Sequence, residues 1–187
     1  MNFINEKKIQ LAKQDKSDKG DWDSEILPLI EKINANEDYY TTSSCSGRII
    51  LIKGKEKKEE GLFLFRTHGE ISFEEFKNAL EKSIQKYNGL IHFKQEPCIL
   101  HVACSSLKKA QDLVDNGKLA GWKKSAIIAS NRRIVAELLS TEKIEMPIGN
   151  NYRILVSDSY IKLLVKEANN KLSRTREKIK KLEKLLR

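Results

Sequence analysis

The chain has 187 residues, of which 40% are apolar and 33% are charged, and it is long enough to bury a real hydrophobic core as one domain. Its formal charge of +9 favours a polyanionic partner, with nucleic acid first. The apolar runs are too short to span a bilayer, no signal peptide is visible, and the three scattered cysteines predict neither a zinc site nor a disulfide framework. We therefore expect a protein of the reducing cytoplasm, without membrane association and without a metal.

Two amphipathic helices are predicted at the start of the chain. The first covers residues 2–16 and is followed by polar, turn-forming residues. The second begins after Asp23 or Ser24 and reaches about Asn34. Pro28 is compatible with it near the first turn, where backbone donors have no helical partner in any case.

Residues 41–48 form the most unusual stretch, because five of the eight carry a hydroxyl group and none follows a helical period. We predict a compact polar loop that leads directly into a buried strand, Arg48–Lys53. Gly47 permits a positive φ or a close backbone approach, and the planar fork of Arg48 suits a phosphate or a carboxylate. Two interpretations follow: an anion or nucleotide cradle, or a turn that satisfies its own backbone. Composition alone favours the turn.

A hairpin and a well-capped helix are predicted next. Residues 62–66 return along the first strand after a charged tip at residues 55–60. Ser72 and Glu75 make a capping box, which predicts a helix start, and Gly89 is expected to end that helix.

The remaining strands come largely as hairpins. They are predicted at residues 90–95, 99–103, 126–130, 134–139 and 152–156. A helix capped by Ser105 or Ser106 and stopped by Gly117 interrupts them. Because single strands do not alternate with helices and no glycine-rich dinucleotide turn occurs, a parallel Rossmann sheet is not expected. The sequence predicts an α+β fold with a mixed, mainly antiparallel sheet and flanking helices.

The last segment is predicted to be one long basic helix. Small or apolar residues recur there at alternating spacings of four and three: Ile161, Val165, Ala168, Leu172, Thr175, Ile179, Leu182 and Leu186. We predict an α+β catalytic domain over residues 1–156 and this helix over residues 157–187, its first half packed on the domain. The second half has a narrow stripe that resembles a coiled-coil seam. It is interpreted either as a basic arm along nucleic-acid phosphates or as a dimerisation helix, and the two are compatible.

Histidine and cysteine side chains are the candidates for acid–base or nucleophilic chemistry. His68 ends a strand and is the better functional candidate, as a general base or a hydrogen-bonding group. His101 lies on a central strand and is equally well interpreted as a buried structural residue or a functional one, whereas His92 is expected at the surface. Cys45 beside Arg48 is a candidate nucleophile, although a packed or hydrogen-bonding role fits better.

Two places combine the residues that hold single-stranded RNA. Trp122 beside Lys123 and Lys124 is typical of a base-stacking and phosphate-gripping site, and the alternative is a core tryptophan. Arg132 and Arg133 occupy a predicted hairpin tip, where phosphate contact is favoured over an ordinary polar turn.

Residues 43–48 resemble the signature of the tRNA wybutosine-synthesis methyltransferase family. Weaker stretches of the same family follow the expected order: residues 18–20 with Asp23, 100–104, 121–125 and 145–148. The resemblance covers most of the chain, roughly to Ile148. It implies an α+β fold of its own kind and an enzyme that methylates a tricyclic, wyosine-type guanosine derivative next to the anticodon of tRNA-Phe. The implied methyl donor is S-adenosylmethionine.

The resemblance turns the candidates into predicted roles. Methyl transfer to nitrogen requires alignment of the reacting atoms and a route for one proton, so we expect chiefly positioning residues. Catalytic roles are predicted for Ser44, Cys45, Ser46, Arg48 and His68, cofactor binding for Ser43, Gly47, His101 and Ala103, and RNA binding for Trp122, Lys123, Lys124, Arg132, Arg133, Lys178 and Lys181. A homodimer through the C-terminal helix is compatible with these roles. The alternatives are a non-catalytic RNA-binding adaptor in tRNA modification and a protein–protein scaffold built on the terminal helix.

Overall fold

The computed structural model describes residues 2–12, 23–54 and 61–186. Within them the helices are α1 (Phe3–Leu11), α2 (Leu27–Ala35), α3 (Phe73–Lys86), α4 (Leu107–Leu119) and α5 (Asp158–Leu185). The strands are β1 (Tyr39–Cys45), β2 (Arg48–Lys53), β3 (Phe63–Thr67), β4 (Ile91–Glu96), β5 (Ile99–Cys104), β6 (Ala126–Ala129), β7 (Ile134–Leu139), β8 (Ile144–Asn150) and β9 (Arg153–Ile154). In this part of the chain, no helix has the length and apolar character needed to cross a membrane.

The chain divides into two compact units that are discontinuous in sequence. The first unit comprises Met1–Ser46, Cys98–Thr141 and Thr175–Arg187, and the second comprises Gly47–Pro97 and Glu142–Arg174. Each unit contains one sheet, and every strand pairing within the described residues is antiparallel. The predicted α+β, non-Rossmann fold with a long C-terminal helix is therefore confirmed.

The first unit is built on a four-stranded sheet in the order β1-β5-β7-β6. The inner face of this sheet carries Leu100, Val102, Ala136 and Leu138, which are fully buried. They form one core with apolar residues of α2, α4 and the end of α5. The opposite face of the sheet carries Ser43, His101 and Glu137.

The second unit is built on a five-stranded sheet in the order β3-β2-β4-β8-β9. Its core joins Ile49 and Phe93 of the sheet to Phe76 of α3 and to residues 161–172 of α5. The rings of Phe76 and Phe93 meet edge to face, with centroids 5.4 Å apart, which adds a directional contact to the burial of apolar area.

Several local predictions are confirmed. Strand β2 has the predicted bounds and pairs with β3 as an antiparallel hairpin, although its tip at residues 55–60 lies outside the described residues. The Ser72 hydroxyl accepts from the Glu75 amide while the Glu75 carboxylate accepts from the Ser72 amide, completing the capping box. Pro28 lies in the first turn of α2.

Two glycines do not end helices as predicted. Helix α4 continues through Gly117 to Leu119. A Cβ at position 117 would lie 3.0 Å from a methyl group of Leu138, which is a tight contact. Gly117 is therefore a packing residue. Helix α3 ends at Lys86 with Tyr87 in an extended conformation, so Gly89 is not its C-cap.

Strand β8 was not predicted, and it contains Pro147, a residue that lacks the amide donor of a central strand. The pairing of β8 with β4 shifts next to this proline, between the pairs His92–Pro147 and Ile91–Gly149. The irregularity accommodates the missing donor.

The second half of α5 is a core element, so its interpretation as a coiled-coil seam is wrong. Ile179 and Leu182 are almost fully buried in the core of the first unit. The stripe looked narrow because the basic residues between the apolar positions remain at the surface.

Candidate active site

Residues 41–45 form most of edge strand β1 and not the predicted loop. The strand pairs with β5 from Tyr39 to Cys45, with a register shift between Thr41 and Ser43. Threonine favours the extended conformation, and the pairing satisfies the backbone that a loop would have left to the hydroxyl groups. Side chains consequently alternate across the sheet, and only Ser46 and Gly47 interrupt the path to β2.

A chain of three polar side chains crosses the outer face of the first sheet. Ser43, His101 and Glu137 lie opposite one another on β1, β5 and β7. The Ser43 Oγ is 2.8 Å from His101 Nδ1, and His101 Nε2 is 2.7 Å from Glu137 Oε2. The His101 and Glu137 side chains keep 28% and 24% exposure, so a hydrogen-bonded relay lies at the surface of a rigid sheet.

Side chains from the α2 region hold β1 at Thr41 and just beyond its last residue. The Asn34 Oδ1 accepts from the Thr41 amide at 2.8 Å, and the Asn34 amide donates to the Thr41 hydroxyl at 3.0 Å. At the other end, Asp23 Oδ2 accepts from the amide of Ser46 at 2.6 Å. A charge-assisted bond of this length fixes the backbone where the strand stops.

Gly47 and Arg48 begin the second unit. Gly47 is buried with φ of 98°, a conformation that favours glycine, so the expected positive φ is confirmed. The Arg48 Nε donates to Glu96 Oε2 at 2.6 Å, and its guanidinium lies 5.0 Å from the ring centroid of Phe63. These two contacts position Arg48 as a rigid fork.

His68 lies beside this glycine. Its Nδ1 is 3.2 Å from the carbonyl oxygen of Gly47, so a protonated Nδ1 donates to that oxygen. The strand end predicted to carry a functional histidine is thus next to the glycine of the signature. His101 belongs to the first unit. From the sequence we also expect residues 43–48 and the strand ends around His68 and His101 to form the donor and base pocket, and this stays a prediction.

The buried candidates in the first unit are closed to ligands. Ala103 is fully buried on β5 between β1 and β7, so its predicted contact with a cofactor is corrected to a packing role. Burial raises the pKa of the Cys104 thiol to about 12 and also raises that of Cys98, which keeps both thiols protonated.

The three signature residues predicted to be catalytic in the first unit differ in exposure. Ser46 is 3% exposed, whereas Cys45 is partly exposed. Ser44 is exposed on β1.

Trp122 is a core residue and cannot stack on a base in this structure. It is fully buried, and its indole N–H donates to the carbonyl oxygen of Lys178 at 3.2 Å. The aliphatic stem of Lys178 also packs beside Gly121. Lys123, Lys124 and Lys181 are exposed. The tryptophan therefore anchors α5, and the lysines around it keep their prediction as phosphate contacts.

The two arginines of the β6–β7 turn differ in their surroundings. Arg132 is exposed. Arg133 is paired with Glu6, to which its Nε donates at 2.7 Å, and its guanidinium lies 5.8 Å from the centroid of the Tyr40 ring. The structure thus gives Arg133 a role in attaching α1 to the sheet, and Arg132 is the better phosphate candidate.

Sequence reasoning missed Glu137 and did not assign Asp23 to the site. A single acidic residue inside an apolar strand was the only signal for Glu137, and it shows a partner only when β5 and β7 are paired in register. Asp23 had a stronger signal, because it belongs to one of the stretches that resemble the family.

Comparison with known proteins identifies the class. The family described as methyltransferase TYW3 matches residues 5–187. The chain is 35% identical to a protein of Thermococcus sibiricus over 97% of this chain and 95% of the relative, and 36% identical to one of Methanocaldococcus jannaschii over 95% and 93%. Both relatives are named tRNA(Phe) 7-((3-amino-3-carboxypropyl)-4-demethylwyosine(37)-N(4))-methyltransferase.

Solved structures agree with the sequence relatives. The PH1069 protein of Pyrococcus horikoshii superposes with a TM-score of 0.87 at 35% identity, covering 98% of this chain and 93% of that one. A hypothetical protein of Aeropyrum pernix gives 0.71 at 26% identity, covering 84% and 95%. The chain is a methyltransferase of non-Rossmann fold. It belongs to the methyltransferase TYW3 family.

Proposed function

We propose that this chain transfers a methyl group from S-adenosylmethionine to N4 of a wyosine-type nucleoside beside the anticodon of tRNA-Phe. The observation that carries the proposal is the Ser43–Arg48 signature. Asp23 and His101 hold its part in the first unit, and Glu96 holds Arg48 in the second. Membership of the methyltransferase TYW3 family and the names of its relatives support the reaction.

The signature has the donor and acceptor groups that such a cofactor requires. S-adenosylmethionine supplies a methyl group on a positively charged sulfur, next to an adenosine. Ser44 offers an exposed hydroxyl group for its polar atoms, and Gly47 allows the left-handed backbone turn that follows the strand. Arg48 and His68 would orient the target nucleobase. Ser46 and Cys45 would support the backbone that precedes Gly47.

A donor titration and a single-turnover assay test this proposal. We expect the purified chain to bind S-adenosylmethionine and to transfer label to tRNA from a strain that lacks the corresponding gene. Arg48→Ala should remove methyl transfer while the folded state persists. Arg66→Ala is the matched control, since Arg66 is an exposed arginine on neighbouring strand β3.

The alternative adaptor function predicts a different result in the same experiment. Tight tRNA binding without donor binding or label transfer would support a non-catalytic RNA-binding adaptor. Full transfer by the Arg48→Ala variant would refute the role of the signature arginine but not the reaction itself.

We also propose that basic residues of the first unit hold the tRNA. The candidates that remain are the exposed residues Lys123, Lys124, Arg132 and Lys181 and the half-buried Lys178. Deleting the terminal helix would not test them, because Ile179 and Leu182 belong to the core. Replacing Lys123, Lys124 and Lys181 by glutamine should reduce the slope of log affinity against log salt by about two. Replacing Lys82 and Lys86, exposed on α3, should change it less.

A tRNA substrate is consistent with the cytoplasmic location expected from the sequence, and we keep that location as a proposal. The homodimer through the C-terminal helix has weaker support, because the apolar stripe of α5 is buried within the chain. Sedimentation equilibrium of the full chain would show a concentration-dependent dimer if the exposed face of α5 forms an interface.

A further inference from the structure

We infer that Ser43, His101 and Glu137 form the proton acceptor of the methyl-transfer reaction, with Glu137 as the positioning residue. The inference rests on the proposed function, since methylation of an N–H group releases one proton that must be accepted. It moves Ser43 and His101 from cofactor binding, where the sequence placed them, to proton transfer.

The two hydrogen bonds determine the tautomer of His101. A carboxylate can only accept, so the Glu137 Oε2 at 2.7 Å requires a proton on His101 Nε2. The neutral ring then has its lone pair on Nδ1, which accepts from the Ser43 hydroxyl at 2.8 Å. The hydroxyl proton of Ser43 is therefore already directed at His101 Nδ1. This is the relay logic of a serine–histidine–carboxylate triad, with the two ring nitrogens exchanged.

Burial and position support a functional role over a packing role. Ser43 is exposed, and the side chains of His101 and Glu137 keep about a quarter of their surface accessible. A histidine that only filled space would lie on the inner face with Leu100 and Val102, which are fully buried. All three groups lie on paired strands, so the spacing between them is rigid.

The electrostatic surroundings of His101 within the first unit are simple. Neighbouring β1 brings the hydroxyl of Ser43, and β7 brings Glu137. Farther along the same face, α1 brings Glu6, which is paired with Arg133 beside Tyr40. The described residues of β6 are all apolar. Glu137 is thus the carboxylate in contact with the ring, and it favours the charged imidazolium that forms when the ring accepts a proton.

The proton transfer balances atom by atom. As the new nitrogen–carbon bond forms and the methyl–sulfur bond breaks, the nitrogen gives its proton to Ser43 Oγ. The serine hydroxyl gives its own proton to His101 Nδ1. The resulting imidazolium is paired with the Glu137 carboxylate, and it later loses the proton to water. No oxidant, reductant or further reactant is needed.

The first test is independent of activity and uses the full chain. The sequence contains three histidines, so nitrogen NMR of the imidazole rings can follow each one, and a His101→Asn variant assigns the signal. We expect wild-type His101 to carry its proton on Nε2, and Glu137→Gln to weaken this preference, because a neutral amide can donate to Nε2 as well as accept from it. Asp112→Asn removes one charge from exposed α4 of the same unit and should leave the ring signals unchanged. Identical ring signals in wild type and Glu137→Gln would overturn the inference.

The second test measures the single-turnover rate against pH. Because neutral His101 is the acceptor, the rate should rise with pH to a plateau, and His101→Asn should lose this rising limb. In Glu137→Gln the limb should move, and the plateau should fall at least about tenfold. Glu137→Asp should restore part of the plateau, whereas Ser43→Ala should reduce it by about a hundredfold. A purely structural role would lower the rate without moving the limb, and that result would refute the relay.

The two proposals can fail separately. If the wild type transfers no methyl group while His101 still responds to Glu137, the proposed function is refuted. If the wild type is active and Glu137→Gln has the pH profile of Asp112→Asn, only the proton-acceptor role is refuted.

Discussion

Leu182→Ala tests whether the end of α5 belongs to the core. Leu182 is fully buried among residues of the first unit, together with Ile179. The substitution removes about three carbons from that core, which costs about 2.4 kcal/mol in transfer free energy, and the cavity left behind adds to this. We therefore expect the free energy of unfolding to fall by about 2.5–5 kcal/mol.

Leu163→Ala provides a control on the same helix with the same chemical change. Leu163 is 54% exposed, so its loss should cost less than about 0.5 kcal/mol. Urea denaturation followed by circular dichroism measures both variants, at two protein concentrations tenfold apart.

The coiled-coil interpretation makes the opposite forecast for these measurements. If residues 175–185 packed on a second chain, the unfolding midpoint would rise with protein concentration. Leu182→Ala would then shift that dependence more than the stability of the single chain. Equal losses in Leu182→Ala and Leu163→Ala would refute the assignment of Leu182 to the core.

Three further predictions concern the second unit. Tyr152→Gly should raise stability by about 1 kcal/mol in thermal unfolding, because Tyr152 has φ of 59° in the β8–β9 turn, a strained conformation for a residue with a Cβ. An unchanged Tm would contradict the presence of this strain. Asn169→Ala should cost about 1–3 kcal/mol, since the Asn169 amide accepts from and donates to the backbone of Ile71 at 3.2 and 2.9 Å. Asn170→Ala, at an exposed neighbouring site, is its control and should cost much less. Hydrogen bonds from Lys143 and Lys94 lower the pKa of Glu145 to about 2, so its contribution is present above the unfolded pKa of about 4.3 and is lost as pH falls toward 2. Glu145→Gln should therefore flatten the fall of Tm between about pH 4.5 and 2, and an unchanged profile would contradict this origin.

Local signals identified most elements because their causes are local. The Ser72–Glu75 capping box is a contact between residues three apart, and a buried hairpin strand such as β2 shows as an apolar run. The signature at residues 43–48 was recognisable for the same reason, since contiguous residues carry it. The strand conformation of this signature could not be recognised from the sequence, because β1 is stabilised by pairing with β5, more than fifty residues away.

Two elements differ from the local preferences of a glycine and a proline, because tertiary packing outweighed those preferences. Gly117 was predicted to stop α4, but the helix continues through it, and a side chain there would press on a methyl group of Leu138. No strand was predicted around Pro147, yet β8 pairs with β4 across a register shift beside this proline.

By itself, the sequence determined the α+β class, the family and the basic character of this protein, since these depend on composition, periodicity and a contiguous motif. Only the tertiary structure decided that Trp122 is buried, that the end of α5 is part of the core and that Glu137 contacts His101. The reason is physical. Burial and the hydrogen bond between His101 and Glu137 depend on strand register and packing between residues 36 positions or more apart, and no local pattern records such distances.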